Sequence, residues 1–370
     1  MNIKKIDKIF FFITLSLVVV GVIFFTSASL GILARNESKF YSVLFNQFIF
    51  GLVGGSIALY FSLKIPYKFL KHYSLFFFIA SIIVTLLVFV PGFGFAHGGA
   101  RRWVSVLGFS FQPVEFLKIG FIIYFAAWLS FARNRVREFN FSIVPLGVLL
   151  SIIGVVLLKQ PDTKSLILIT ITAITMLFIS GAPWKHILGL LGGTFVLFVI
   201  LVSVKPYLME RVKTFFDPSS NSSTSSYQLQ QSLIALGSGG TLGRGLGQSV
   251  QKFNYLPEPQ GDSIFAVIGE EAGFVGCLFV IFLYVIFLLR GYKIARNAPD
   301  SFSRLLIIGF VTMLTAQSFM NMASIIGVFP LTGVPLVFIS HGGTSLFLSL
   351  AMVGIILNIS RFQTKAKPKE

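Results

Sequence analysis

The chain has 370 residues, of which 55% are hydrophobic and only 12% charged, about half the roughly 25% charge content of soluble domains. Apolar runs of about 17–25 residues recur from end to end, continuous rather than alternating, which excludes a soluble domain and a β-barrel. The formal charge of +17 comes with no zinc pattern, basic region or aromatic–basic interleave, so nucleic acid is excluded as a partner and the surplus reads as basic residues kept on the cytoplasmic side.

The first run begins at Ile9 without a small-residue cleavage site, and it reads as a first span rather than a removed signal peptide. Lys4, Lys5 and Lys8 precede it and place the N-terminus in the cytoplasm. Spans are expected at about 9–30, 45–63, 74–91, 113–131, 142–158, 165–181, 187–204, 263–289, 305–326 and 344–360. This is an all-α bundle of ten transmembrane helices, a single membrane domain over 1–370 with both termini cytoplasmic. The clusters Lys64/Lys68/Lys71, Arg133/Arg135/Arg137, Lys185, Arg290/Lys293/Arg296 and Arg361/Lys365/Lys367/Lys369 all fall on the cytoplasmic side of this scheme. Cys277 lies inside a span and is the only cysteine, so no intramolecular disulfide forms, and four scattered histidines argue against a histidine-built metal site.

Between spans seven and eight lies an outer loop, about 205–262, far longer than ordinary connections and therefore expected to carry function. Ser219–Ser226 is a polar tract, and Tyr227–Leu236 is amphipathic enough for a short helix at the cavity mouth. Six glycines (237, 239, 240, 243, 245, 247) and Arg244 then permit tight turns and close backbone approach to a ligand. Pro257 and Pro259 bound a turn carrying Glu258 and Asp262, and Asp262 is placed in the first turn of span eight. There its carboxylate serves either as a helix cap or as a catalytic base.

No G-x-S-x-G elbow or phosphate loop is present, and the glycine stretch misses the dinucleotide spacing. The informative residues are charges a membrane protein keeps at a cost of about 2.5–3.5 kcal/mol each. Glu115 and Lys118 share one helix face, as a self-satisfied pair bracing the bundle or as substrate contacts. Glu270 and Glu271 lie about two turns inside span eight, pairing with a basic residue or lining a cavity. Arg101 and Arg102, beside Trp103, either anchor the lipid interface or clamp a phosphate or pyrophosphate. Asp162, after Gln160-Pro161, either caps span six or joins them. An anionic lipid head group with sugar hydroxyls would use arginines, carboxylates, glutamines and a glycine-rich loop together.

Several runs resemble the SEDS proteins (shape, elongation, division and sporulation). They are Gly99-Ala-Arg-Arg-Trp103 with Phe111-Gln-Pro-Val-Glu115, then Gln160-Pro-Asp162, Tyr227-Gln-x-x-Gln-Ser232 and Gly247-Gln-Ser249. Leu256-Pro-Glu-x-x-x-Asp-x-Ile-Phe-Ala-Val-Ile-Gly-Glu-Glu271, Pro330-Leu-Thr-Gly-Val-Pro335 and Phe338-Ile-Ser-His-Gly-Gly343 complete the set. They span nearly the whole chain in the family's order, and the Ala-Arg-Arg-Trp form with Tyr-Leu-Pro-Glu is similar to the division branch (FtsW) rather than the elongation branch (RodA). Two departures stand out. Gly261 and Ser263 flank Asp262 where the family has Thr and Phe, and Thr163-Lys164-Ser165 follows Gln-Pro-Asp where it has an apolar residue, Gly and Thr.

The resemblance implies a peptidoglycan glycosyltransferase polymerising lipid II into β-1,4 glycan strands outside the cytoplasmic membrane. It also implies a class B penicillin-binding protein (a transpeptidase) and other division or elongation membrane proteins as partners. The family's essential carboxylate maps onto Asp262, expected to act as base in a single inverting displacement that releases undecaprenyl pyrophosphate. Arg101, Arg102, Lys118 and Arg244, with Gln160, Asp162, Gln231, Ser232 and Glu258, are the expected substrate and pyrophosphate contacts. Glu115, Glu270 and Glu271 are the structural or cavity carboxylates. No metal ligands are identified, and Mg²⁺ or Mn²⁺ is the candidate cofactor. A lipid II flippase and a non-catalytic division scaffold are the alternatives.

Overall fold

The structure is a computed structural model describing residues 5–34, 36–97, 100–106, 109–217 and 224–362. Lys4, Lys365, Lys367, Lys369, Gly99 and residues 219–223 of the polar tract lie outside the described residues.

Among the described residues, eight helices are long and apolar enough to cross a membrane. These are α1 (Lys8–Leu33), α2 (Glu37–Lys64), α4 (Val114–Phe131), α5 (Phe139–Lys159), α7 (Trp184–Val204), α10 (Ile264–Arg296), α11 (Ser301–Ile325) and α12 (Gly343–Ser360). Two shorter apolar helices, α3 (Ser74–Phe89) and α6 (Thr163–Ile179), stand where the third and sixth spans are expected. The long outer loop is itself mostly structured, as α8 (Pro206–Phe216), α9 (Thr224–Ser238) and one turn at Gln251–Asn254. Residues 94–111, expected as plain loop, form a three-stranded antiparallel sheet, β1 (Gly94–His97), β2 (Ala100–Val106) and β3 (Phe109–Phe111), in that order.

α11 is the axis of the bundle: 89% of its apolar window is buried, against 6% for the peripheral α7. Membrane helices gain nothing by hiding apolar surface from lipid, so a buried helix is held by packing and by polar groups that need protein partners. Two amides on α11 meet that need. Gln317 accepts from Lys118 Nζ of α4 (2.8 Å) and donates to Pro335 O (3.2 Å), while Asn321 donates to Asp262 O and Val334 O (both 2.7 Å).

One end of the bundle is pinned by an ion pair and by capped helix starts. Asp7 caps α1 through Phe10 N, receives a forked pair from Arg290 of α10 (2.7 and 3.1 Å), and donates its own N–H to Ser360 Oγ of α12. Asp300 closes a capping box at the start of α11 and accepts from Tyr67 (2.8 Å).

At the other end α10 is interrupted. Gly273 takes φ 67°, ψ −165°, a region open essentially to glycine alone, and the glycine-rich loop plugs the break. Arg244 N and Gly245 N donate to the carbonyls of Glu270 and Glu271 (both 3.0 Å), and Phe274 N and Val275 N donate to those of Gly240 and Thr241 (2.9 and 3.1 Å). A membrane helix tolerates such a break only when every freed backbone group is re-satisfied. The glycines therefore approach a helix backbone, not the expected ligand. A Cβ on either Gly243 or Gly273 would collide with the other strand of this contact.

Candidate active site

Asp262 does not cap α10. The helix starts at Ile264 behind Ser263, which makes no side-chain capping bond, and residues 257–262 before it form turns. The Asp262 carboxylate has no hydrogen-bond partner among the described residues, while its own carbonyl, that of Gly261 and the side chain of Ser263 are each held. Asn321 of α11 takes Asp262 O, Ser340 Oγ takes Gly261 O (2.8 Å), and Gln228 of α9 donates to Ser263 Oγ (3.0 Å). A carboxylate held by its backbone and left free at its tip is available for chemistry.

That tip enters a cavity of about 580 Å³ at the end of the bundle opposite Asp7–Arg290. Its walls come from the start of α2 (Lys39, Asn46), the sheet (Arg102, Trp103), α4 (Glu115) and α6 (Lys164). Arg211 of α8, Gln228 of α9 and His341 complete them. Basic side chains outnumber free acidic ones, since Glu115 is already neutralised by Lys118 at 2.7 Å.

Three half-buried cations that line the cavity are, among the described residues, tied only to neutral carbonyls. Arg102 reaches Gln160 O (3.2 Å) and Pro161 O, Lys164 reaches Gly333 O, and Arg211 reaches Leu331 O and Thr332 O (2.9 and 3.1 Å). Burial lowers the pKa of the Arg211 guanidinium, the charge of Arg102 lowers it further, and Asp262 opposes both. Gly333, at φ +63°, separates the opposite charges. A Cβ there would stand 2.9 Å from Asp262 Oδ2 and 3.9 Å from Lys164 Nζ. His341 stacks on Phe25 (5.9 Å between centroids), and burial pushes its pKa down to about 4, so the ring is neutral.

The sheet separates Arg101 from Arg102. β1 and β2 pair Phe95 with Trp103 and Ala96 with Arg101, leaving Arg102 as the extra residue of a bulge. A bulge re-aims its side chain; Arg102 turns to the cavity, whereas Arg101 is exposed and outside the lining.

Other expected contacts have structural partners instead. Asp162 is buried and caps α6 through Ser165 N and Oγ (3.4 and 2.8 Å), as its position before a helix start allows. Gln160 is buried with its amide on Thr85 O (2.9 Å). Lys118 sits behind Glu115 in their buried pair. On α9 the cavity face carries Ser225 and Gln228; Gln231 is half-buried off the lining, and Ser232 bonds back to Gln228 O (2.7 Å). Glu258 lines the cavity in a left-handed conformation, φ 45°.

Glu270 and Glu271 belong to a separate buried network, with the exposed Arg244 at its edge. Glu270 accepts from Ser249 Oγ (2.5 Å) and Val250 N (3.0 Å), with Arg244 at 3.5 Å. Glu271 pairs with Lys252 at 2.7 Å, both side chains fully buried, and takes Ser27 Oγ of α1 (2.6 Å). These carboxylates lock the glycine loop to α1 and α10, and neither lines the cavity.

Arg211, Asn321, Gln317 and Lys252 escape a reading of the sequence, and Lys164 and Gln228 enter it only beside or within family-like runs, without a role. The two amides of the ninth span, four residues apart, were a legible signal for Gln317 and Asn321; nothing local marks Arg211.

A family model described as cell cycle protein (FtsW, RodA, SpoVE) matches residues 7–365. The chain is 37% identical over 362 residues to the stage V sporulation protein E of Bacillus subtilis, covering 96% of this chain and 97% of that one. It is 35% identical over 359 residues to a probable peptidoglycan glycosyltransferase FtsW of Geobacter metallireducens, covering 97% and 96%. Among solved structures, it superposes on a chain from a peptidoglycan synthase complex that coordinates polymerization and crosslinking, at 27% identity and a TM-score of 0.79 over 96% of this chain and 98% of that one. The rod shape determining protein RodA of Thermus thermophilus matches at 25% identity and a TM-score of 0.71, covering 98% of each chain.

Proposed function

This chain belongs to the FtsW, RodA and SpoVE family of cell cycle proteins and is a multi-pass peptidoglycan glycosyltransferase; we propose that it polymerises lipid II at the cavity around Asp262. The observation that carries the assignment is the Asp262 carboxylate, which among the described residues is unpartnered at its tip and shares its cavity with cations that no described carboxylate pairs. Asp262 takes the proton of the acceptor sugar's 4-hydroxyl as that oxygen attacks the anomeric carbon of the donor. The bond to the lipid-linked diphosphate breaks, and its electron pair leaves with the diphosphate. A donor α-linked to diphosphate and a β-1,4 product require one inversion, so a single base suffices and no glycosyl-enzyme forms. Base catalysis of this kind contributes about 10²–10⁴-fold.

Basic residues at the Asp7–Arg290 end favour a cytoplasmic location for that end and, with it, a cavity open to the outer face of a bacterial cytoplasmic membrane. The FtsW and SpoVE relatives favour a role in division or sporulation over elongation. The synthase-complex neighbour supports a crosslinking partner, for which a class B penicillin-binding protein is the proposed candidate. For a divalent cation the residues fit poorly. Among the described residues no group of three or more His, Cys, Asp or Glu side chains could hold one, and no step is routed through a metal.

The test is a gel assay of glycan strands from purified protein and lipid II, with and without Asp262→Asn and the crosslinking partner. Loss of strands in the variant is the expected result; undiminished polymerisation refutes the base assignment. Labelled lipid that crosses vesicles without lengthening would instead identify a flippase.

A further inference from the structure

We propose that Lys164, Arg211 and Arg102 form a diphosphate site beside Asp262, in which the Lys164 ammonium takes the electrostatic place of a divalent cation, so that sugar transfer proceeds without metal. The proposal rests on the glycosyltransferase reading of the cavity and deepens it.

Three observations converge. First, the cations come from three separate parts of the chain, β2, α6 and α8, yet their tips all meet the one cavity. Second, each is anchored by neutral carbonyl oxygens, and none has a carboxylate within ion-pair distance among the described residues. Clustered cations repel one another, and burial raises that cost because less water screens them. Arg211 registers both effects: its positive form is opposed first by burial and then by Arg102, against support from Asp262, Tyr207 and Glu210. An anion with several charges and several acceptor oxygens removes the repulsion, and the guanidinium forks of Arg102 and Arg211 match such oxygens. Third, Asp262 Oδ2 and Lys164 Nζ lie 2.9 and 3.9 Å from a single point above Gly333. The base and the ammonium thus flank one small volume, while Lys164 stays out of ion-pair distance and leaves the base unquenched.

This arrangement supplies what glycosyl transfer needs from a metal. As the anomeric C–O bond breaks, its electron pair moves onto the bridging diphosphate oxygen; the new C–O4 bond forms on the opposite face, and the acceptor proton goes to Asp262. The charge that develops is on the diphosphate, where a fixed ammonium and two guanidinium groups already stand and need no reorganisation. A divalent ion in the same place would be repelled by three cations, and Glu115, one of the three carboxylates lining the cavity, is already held by Lys118.

The experiment uses the full chain in lipid vesicles, with lipid II as substrate and inorganic pyrophosphate as a separate binding probe followed by calorimetry. Native protein, Lys164→Met and Lys164→Arg are each measured in EDTA and in excess Mg²⁺. The expected result is full polymerisation by the native chain in EDTA, and a fall of about 10²-fold for Lys164→Met, partly restored by Mg²⁺ or by the arginine variant. Pyrophosphate should bind the native chain in EDTA and bind Lys164→Met at least about ten-fold more weakly. Strand synthesis or pyrophosphate binding that requires added metal in the native chain overturns the proposal, as does a Lys164→Met variant equal to native in both readouts. A chain that binds pyrophosphate in EDTA yet makes no glycan under any condition would sink the glycosyltransferase reading and leave the anion site standing.

Discussion

Lys252→Met should be among the most damaging single changes in the protein, although the residue lies outside the cavity lining. Its ammonium is fully buried, 2.7 Å from Glu271 Oε1, 2.9 Å from Ser27 Oγ and 2.8 Å from Gly247 O. Removing it leaves Glu271 charged and buried, with only Ser27 Oγ and the more distant Ser249 N (3.4 Å) to solvate it. Breaking one partner of a buried pair costs about 3–5 kcal/mol, whereas replacing both by apolar groups of similar size is often nearly neutral. Glu271→Leu alone should therefore cost a similar amount, and Lys252→Met/Glu271→Leu should recover most of it. The assay is thermal unfolding of the detergent-solubilised protein, read as a double-mutant cycle. Additive single effects, or a Lys252→Met variant within about 1 kcal/mol of native, would refute the reasoning, because a solvated or redundant lysine would behave so. The activity of the double variant is informative too. The pair ties the glycine loop to α1 just upstream of the Asp262 turn, so restored stability should bring restored polymerisation.

Asp262→Asn should lower polymerisation by about 10²–10⁴-fold with only a small fall in unfolding temperature, since the carboxylate holds no hydrogen bond among the described residues and supports Arg211 only by charge; a large loss of stability would mean the group is structural. Arg102→Gln should depress strand synthesis strongly and Arg101→Gln hardly at all, because only Arg102 occupies the bulge that faces the cavity; equal effects in the same gel assay would contradict the sheet. Gly273→Ala forces a side chain into a glycine-only conformation and onto Gly243, so thermal unfolding should register a loss of about 1–3 kcal/mol from strain and more from the collision. For His341 the folded pKa is about 4, below the usual 6.5 of an unfolded histidine. The unfolded chain therefore binds the extra proton between those values. Stability is complete above pH 6.5 and declines by about 1.4 kcal/mol per pH unit down to about pH 4; His341→Phe should flatten that slope in thermal scans at pH 7 and pH 5.

Hydrophobic runs, basic clusters and family-like motifs made the membrane class, the order of the helices and the central carboxylate readable from the chain alone. The reason is that lipid imposes its demands locally. A span must be apolar over its own length, and a charge inside it is conspicuous wherever it falls. Where each polar side chain finds its partner is a different matter. Asp162 and Gln160 resemble substrate contacts in sequence yet satisfy the backbone around them, and Glu270 and Glu271 close a break in their own helix. Arg211, Lys164 and Arg102 are far apart along the chain and become one electropositive wall only when α6, α8 and the sheet fold over the same opening. Charge placement is additive along a sequence, but neutralisation depends on distance through space, so the tertiary structure alone decided which charges cancel and which are left for a ligand.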